Sequence, residues 1–317
     1  MNLFKSLFNT VSGGRSPADL AKWLDLPEAE LREWLTNKPA WARGYEYARF
    51  SIPKRRGGVR AIEAPNKKLK ALQRRILRRL LNPLKFHPAA TGFVPGRSIV
   101  DNARPHAGRG VVINIDLAEF FPTITAERVT QVFRSLGWGA EAATILTNIC
   151  AYEGRLPQGA PTSPALSNLI CRKLDERFSA LVKRYKGQYT RYADDITFSF
   201  PGLGRNKRLR PKPKGRPPLA RPAQGGPGRT LLTLIKTIVE EEGFRIQMKK
   251  KVRVQRPHQR QTATGLVVNR QVNLPRTTRR LIRAMQHRQR LDQLDAEGQR
   301  RLKGLEALMD MVSRQRG

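Results

Sequence analysis

Asp194 and Asp195 stand side by side in Tyr192-Ala193-Asp194-Asp195, the clearest place in the chain for chemistry. Two adjacent ionised carboxylates repel each other, so a fold that fixes them together favours a divalent cation between them. An isolated Asp-Asp pair would more simply be a solvated turn, because Asp is a common turn residue. A third acid changes that balance. Asp116 closes the apolar run Val111-Val112-Ile113-Asn114-Ile115, and a buried strand that ends on an acid holds it rigidly. If the two β elements are neighbours, the three acids converge. A site of this kind can hold two Mg²⁺ about 3.5–4 Å apart, activating an attacking 3′-hydroxyl and stabilising a departing pyrophosphate. Oxygen-only ligation suits Mg²⁺, which takes a few carboxylates plus substrate phosphates. No Ser-His-Asp or Cys-His arrangement competes with this reading, and no phosphate-binding P-loop signature is present.

The elements that must position these acids are legible nearby. Gln188 to Tyr192 is short and extended, and Ile196-Thr197-Phe198-Ser199-Phe200 alternates apolar and hydroxyl residues with the period of a half-buried strand. Joined at Ala193-Asp194, they make a hairpin with both acids at its tip. Upstream, Ser16-Pro17-Ala18-Asp19 reads as a helix cap with proline at the first position. A second short helix over 27–35 completes a small N-terminal module without visible chemistry. Residues 47–62 predict two strands around Gly57-Gly58, a mobile hairpin carrying Lys54, Arg55, Arg56 and Arg60. Such cations suit a nucleotide triphosphate, and equally a nucleic-acid backbone. From Lys67 to Leu81 the spacing predicts an amphipathic helix whose stripe is Leu69, Leu72, Ile76 and Leu80, surrounded by Lys70, Arg74, Arg75, Arg78 and Arg79.

Further along, Thr91–Ser98 is a loop rich in turn residues. Helices are expected from about Thr125, as cap, to Leu136, and from about Ala140 to Tyr152. Leu156-Pro157-Gln158-Gly159-Ala160-Pro161-Thr162-Ser163-Pro164 predicts a rigid turn whose amides could meet a base or sugar, or a plain connector. It feeds one helix capped by Ser163 and buried through Leu166, Leu169, Ile170, Leu174, Phe178 and Leu181. Residues 203–229 hold nine Lys or Arg, six Pro, five Gly and no acid, so they cannot build a core and predict a disordered basic loop. A helix resumes at Leu231 and ends at Gly243, strands follow at 244–248 and 249–254, and a last hairpin spans 262–269 and 271–274. From Pro275 the chain is helical and basic, with eleven Lys or Arg against five acids.

Composition sets the partner. Lys plus Arg is 61 against 25 acids, a formal charge of +36, and excess of that size spread along the whole chain points to a polyanion. Nucleic acid is the stronger reading and a membrane surface the weaker, since no apolar run is long enough to span a bilayer and no signal peptide is seen. Cys150 and Cys171 are too few for a disulfide framework or a zinc cluster, and read as core residues of a cytoplasmic protein.

The ordered set IDLAEFF, LPQGAPTSP, YADD and GF-x-I-x-x-KK resembles the palm of a reverse transcriptase over roughly residues 50–275. Within that superfamily the short length, Asn102-Ala103-Arg104-Pro105-His106 and the late Thr-Gly-Leu are similar to bacterial retron reverse transcriptases. Those typically carry V-T-G where this chain has Ala263-Thr264-Gly265.

The resemblance implies an α+β right-hand polymerase. Its expected parts are an N-terminal helical extension (1–49), fingers (50–110), a palm (111–274, with a fingers-type insertion near 140–165) and a basic helical thumb (275–317). It implies that Asp116, Asp194 and Asp195 bind two Mg²⁺ with the Leu117 carbonyl assisting. Phe121 would be the steric gate against a ribose 2′-hydroxyl. Gln158 would lie under the incoming nucleotide, Lys54 and Arg60 would hold its triphosphate, and Lys249 or Lys250 would protonate pyrophosphate. Thr264, Gly265 and Leu266 would form the primer grip. Asn102 and His106 would belong to a region that helps hold RNA, and Arg276, Arg279, Arg280 and Arg283 would grip RNA from the thumb.

The implied partners are a cognate structured non-coding RNA serving as template and primer, the RNA–DNA hybrid, deoxynucleoside triphosphates and a separate effector protein in phage defence. In the family, priming is from the 2′-hydroxyl of an internal guanosine. Two alternatives stand beside this reading. A group II intron-type enzyme would need more chain than the roughly forty residues after Leu274. A catalytically idle RNA-binding scaffold would have no use for three repelling carboxylates.

Overall fold

A computed structural model describes residues 15–36, 44–54, 57–201, 227–247 and 252–315, with the side chains of 227–230 outside the description. The chain forms two compact units, one from Met1–His87 with Glu119–Lys173, the other from Pro88–Ala118 with Leu174–Gly317. These units cut across the boundaries expected from the sequence. The 88–110 stretch falls with the 111–118 strand, and the N-terminal helices share a unit with the basic hairpin.

In the first unit, α1 (Pro17–Leu24) opens on a capping box: Ser16 Oγ accepts from the Asp19 amide at 3.2 Å, and Asp19 Oδ2 accepts from the Ser16 amide at 2.8 Å. After α2 (Glu28–Arg32), β1 (Tyr47–Pro53) and β2 (Val59–Pro65) pair antiparallel with Pro53 opposite Val59. Helix α3 (Lys67–Ile76) is capped by the Asn66 side chain, and its last turn widens into a π-helical turn over Leu77–Leu81. The stripe Leu69, Leu72, Ile76 and Leu80 is buried as its spacing requires. Two of its flanking arginines have internal work: Arg75 donates to the Leu24 and Asp25 carbonyls and Arg79 to that of Trp23, neutralising the C-terminal end of α1.

The chain then enters the second unit for α4 (Ile99–Ala103) and β3 (Val111–Asp116), and returns to the first for α5 (Ala126–Ser135), α6 (Ala140–Cys150) and α7 (Ser163–Ile170). Phe133, Trp138, Ile145, Leu146 and Ile149 are buried in that unit, each worth about 1.5–3 kcal/mol in apolar burial. Burial also pushes the Cys150 thiol up to about 12, which keeps it inert.

The single helix expected after Ser163 is two. α7 ends at Cys171, where ψ is 2°, and α8 (Arg172–Lys183) restarts beyond it. No Gly or Pro marks the break, so the continuous apolar stripe conceals it. Thr162, not Ser163, takes the cap position. The Ser163 hydroxyl instead donates to the Pro157 carbonyl at 2.7 Å and closes the preceding turn.

The second unit is built on a four-stranded antiparallel sheet in the order β4-β5-β3-β6, from β4 (Gln188–Tyr192), β5 (Asp195–Phe200) and β6 (Arg253–Gln255) with β3 central. Helix α9 (Pro227–Glu241) starts inside the stretch expected to be disordered, because Pro227 is pre-set for the first helical turn. The rest of the 203–229 expectation lies outside the described residues. Of the strands expected at 244–254, only β6 and a bridge at Ile246 are seen among the described residues. Strands β7 (Thr262–Ala263) and β8 (Leu266–Val267) form the last hairpin, and α10 (Arg276–Arg290) and α11 (Ala296–Gln315) follow. One apolar cluster joins these parts: Val100 and Ala103 of α4, Val112 of β3, Leu266 of β8, Ile282 and Met285 of α10, and Leu302 and Val312 of α11. No described helix is long and apolar enough to cross a membrane.

Candidate active site

The sheet register decides where the acids go. β3 and β5 run antiparallel with Asp116 directly opposite Asp195, and β4 and β5 pair up to Tyr192 opposite Asp195. Residues directly opposite in such a ladder share a face with Cβ atoms about 4.5–5.5 Å apart. Asp194 occupies the two-residue turn between β4 and β5. Its carbonyl accepts from the Leu117 amide at 3.0 Å, which ties the turn to the residue after Asp116. All three acids are half-buried.

On the other edge of that segment, the Ala118 amide donates to the Arg245 carbonyl at 2.7 Å and the Gln247 amide to the Asp116 carbonyl at 2.8 Å. This clamp extends the ladder past the end of β3. Among the described residues, no three His, Cys, Asp or Glu side chains are gathered tightly enough to enclose an ion by themselves.

Behind β4 lies a buried polar lattice. His106 receives its place from two hydroxyls, Ser199 Oγ at 2.7 Å from Nδ1 and Thr190 Oγ1 at 2.8 Å from Nε2. Burial, with the Arg109 charge nearby, pushes the imidazole down to about 3, so it is neutral at physiological pH. Asn102 donates to Thr91 Oγ1 at 2.8 Å, and its Oδ1 accepts from the Thr264 hydroxyl at 3.3 Å. Both side chains are fully buried. Neither presents itself to solvent, and both hold elements together. Asn102 joins α4 to the 91 loop and to the turn at Thr264 (φ 45°) and Gly265 (φ 81°), which carries β7 into the buried Leu266.

Arg276, Arg279, Arg280 and Arg283 are exposed on α10. Arg276 and Arg279 line an open cleft of about 370 Å³ with Arg260, Arg270 and Asn269. Four further expected site residues belong to the first unit. Lys54 and Arg60 are exposed on the β1–β2 hairpin, and Phe121 is half-buried beside Phe120 at 5.2 Å between ring centres. Gln158 is fixed through its backbone: its carbonyl accepts from the Glu63 amide at 2.9 Å. Gly159 is obligatory there, since a Cβ would sit 2.6 Å from the Glu63 carbonyl oxygen. Arg155 braces the same strand with two bonds to the Glu63 carboxylate, at 2.9 and 2.7 Å. Lys249, Lys250, Arg55 and Arg56 lie outside the described residues.

Sequence reasoning missed the residues that hold the acids. Gly92 packs so closely on the hairpin that a Cβ would lie 2.8 Å from the Ala193 nitrogen. Thr91, Asn102 and Arg191 act from inside, and a loop rich in turn residues gave no sign of its target.

Comparison with known proteins fits this arrangement. The chain matches the family described as reverse transcriptase (RNA-dependent DNA polymerase) over residues 52–268. It is 38% identical to the Retron Mx65 reverse transcriptase of Myxococcus xanthus, over 94% of this chain and 69% of that protein. With the Retron Mx162 reverse transcriptase of the same organism it shares 38% identity over 94% of this chain and 64% of the relative. Identity with the Retron Ec86 reverse transcriptase of Escherichia coli is 37%, over 72% and 65%. The chain therefore spans 64–69% of the length of these relatives. Among solved structures, apo telomerase from Candida tropicalis is similar with a TM-score of 0.44, 14% identity, and coverage of 79% of this chain and 61% of that one. A family match over more than half of the chain, together with 38% identity to the Mx65 enzyme over 94% of this chain and 69% of that protein, places this protein in the reverse transcriptase family, among the retron reverse transcriptases.

Proposed function

We propose that this chain copies part of a cognate structured RNA into single-stranded DNA, using Asp116, Asp194 and Asp195 to hold two Mg²⁺. The observation that carries the reading is the register that sets Asp116 opposite Asp195, with Asp194 in the adjoining turn. The donor set fits the ion: three carboxylates and the Leu117 carbonyl offer oxygen only. No three His, Cys, Asp or Glu side chains among the described residues form a metal-holding group by themselves, so substrate phosphates would have to complete the coordination. When bound, the ions activate the primer hydroxyl and stabilise the leaving pyrophosphate.

The chain's own groups select and orient. Lys54 and Arg60 hold the triphosphate, Gln158 lies under the nucleotide, Phe121 excludes a 2′-hydroxyl, and Lys249 supplies a proton to pyrophosphate. Thr264, Gly265 and Leu266 form the primer grip. Asn102 and His106 support the RNA-binding surface from within, by fixing the hairpin turn and β4. Arg276, Arg279, Arg280 and Arg283 grip phosphates of the RNA stem and the RNA–DNA hybrid. In this reading the basic hairpin belongs to the fingers, the four-stranded sheet to the palm and α10–α11 to the thumb. The product serves a retron defence system with a separate effector protein, in the cytoplasm.

The test is the nucleic acid that co-purifies with the protein expressed together with its flanking genomic sequence. DNA covalently joined to RNA is expected with the parent chain and absent with Asp194→Asn/Asp195→Asn. RNA bound equally by both proteins, with no DNA, would leave only a scaffold.

A further inference from the structure

Behind the hairpin that carries the acids lies a buried ion pair. Arg191, at the end of β4, is fully buried, and so is Asp175 of α8. The guanidinium grips the carboxylate with two arms: Nε donates to Oδ1 at 2.8 Å and Nη2 to Oδ2 at 2.7 Å. The Tyr189 hydroxyl donates to the same Oδ1 at 2.6 Å. The third arm reaches forward, with Nη1 donating to the Ala193 carbonyl at 3.3 Å.

Ala193 has φ 56°, in the left-handed region that costs a residue with a Cβ about 1 kcal/mol or more. Its neighbours must impose that conformation. From one side Gly92 closes on the Ala193 nitrogen, and Arg191 holds the carbonyl. Main-chain bonds secure the strand itself: the Arg191 amide donates to the Ala89 carbonyl at 2.8 Å, and the Thr91 amide to the Arg191 carbonyl at 2.9 Å. A buried ion pair is often no more stabilising than apolar residues of equal volume. Stability alone therefore does not account for an arginine here, whereas a rigid fork that reaches both a carboxylate and a strained carbonyl does.

We infer that Arg191 is a positioning residue for polymerisation. Through the Ala193 carbonyl it fixes the turn that aims Asp194 and Asp195, while Asp175 and Tyr189 fix the guanidinium. The inference rests on the proposal that these acids hold the metal ions.

The test compares the full chain with Arg191→Lys, with Arg191→Met/Asp175→Asn, and with Asp194→Asn. The double variant removes both charges together and leaves an acceptor for the Tyr189 hydroxyl. Three properties are measured: thermal melting, Mn²⁺ binding by electron paramagnetic resonance without nucleotide or nucleic acid, and kcat and KM for a deoxynucleotide on a supplied RNA template with DNA primer. The double variant is expected to melt near the parent and bind Mn²⁺ about tenfold more weakly. Its kcat should fall about tenfold to a hundredfold with KM changed less than about threefold, as displaced catalytic groups produce. Arg191→Lys keeps the charge without the fork and should move the same two readouts by less. A folded double variant with parental kcat and Mn²⁺ affinity overturns the inference. If the double variant does not fold, Arg191→Lys decides: losses in both readouts support the inference and parental values overturn it. Asp194→Asn tests the underlying proposal separately, because parental Mn²⁺ binding and synthesis there would remove the acids from the metal site whatever Arg191 does.

Discussion

Two hairpins carry the opposite charges of the proposed reaction, and they are built in opposite ways. The acidic hairpin, β4–β5, has buried residues along nearly its whole length and a turn held by the Leu117 amide, the Arg191 guanidinium and the close approach of Gly92. In the basic hairpin, β1–β2, six of the seven β1 residues are exposed, and its Gly57 and Gly58 have open space where a Cβ would stand. The difference is what the proposed roles would ask of each. Carboxylates that share metal ions have to be held within a fraction of an ångström, and a misplaced group loses rate steeply. Cations that gather a triphosphate act at longer range and gain from reach.

The sharpest break of this comparison is at the acids. Asp194→Asn should reduce single-nucleotide incorporation at least about a thousandfold, since metal-assisted charge stabilisation supplies several kcal/mol. The melting temperature should not fall, because the change relieves repulsion between adjacent carboxylates. Rapid-quench kinetics and thermal melting check both halves.

Glycines test the same contrast at the next level. Gly92→Ala sets a Cβ against main-chain atoms of Tyr192 and Ala193 that cannot move aside, and overpacking of this kind costs about 1–3 kcal/mol. Synthesis should fall with it as the turn shifts. Gly57→Ala meets nothing within 4 Å and has only its φ of 86° to oppose it. A cost of about 1 kcal/mol with synthesis retained is expected there. Equal losses at the two sites, in denaturant titration and in rate, would erase the distinction between the hairpins.

Much of the acidic hairpin was legible because local patterns encode it. An apolar run ending on Asp116, the alternation after Asp195 and the two-residue gap between strands are all short-range signals, and the register followed. The supports were not legible, for physical reasons that differ. Arg191 reads as surface by type, and only the distant Asp175 makes its burial tolerable. Asn102 and His106 are tied to RNA only by the family resemblance, and the hydroxyls of Thr91, Thr190, Ser199 and Thr264 that hold them come from distant parts of the chain. The bonds from 116 and 118 to 245 and 247 join segments far apart in the chain, which no local period can announce. The break at Cys171 has no residue that marks it, so a periodic stripe ran straight across it.

On the basic hairpin the expected effect is smaller and of another kind. Arg60→Ala should raise KM for the deoxynucleotide about tenfold and leave kcat within about threefold, as loss of one charge-assisted phosphate contact predicts. The defect should shrink as salt rises, because an exposed cation is already screened. Steady-state kinetics at two ionic strengths measure it. A fall in kcat with constant KM would mean that this hairpin, too, works by geometry.

The last effect is read in stability alone, with synthesis at neutral pH little changed, and tests what stands behind the acidic hairpin. His106 titrates near 6.5 when unfolded and is pushed down to about 3 by burial, with Arg109 adding to the shift. Between those values the unfolded chain carries a proton that the folded chain does not, so unfolding is favoured as pH falls. Stability should therefore be full above about pH 6.5 and decline toward pH 3, by up to about 1.4 kcal/mol per pH unit from this group. Carboxylates elsewhere also lose stability in acid, so the comparison is with His106→Gln. That variant should be less stable at pH 7.5, having lost one or both hydroxyl bonds to Ser199 and Thr190, yet decline less between pH 6.5 and 5. Parallel stability curves for the two proteins would show that His106 takes up its proton in the folded state, and that the lattice beneath β4 tolerates charge.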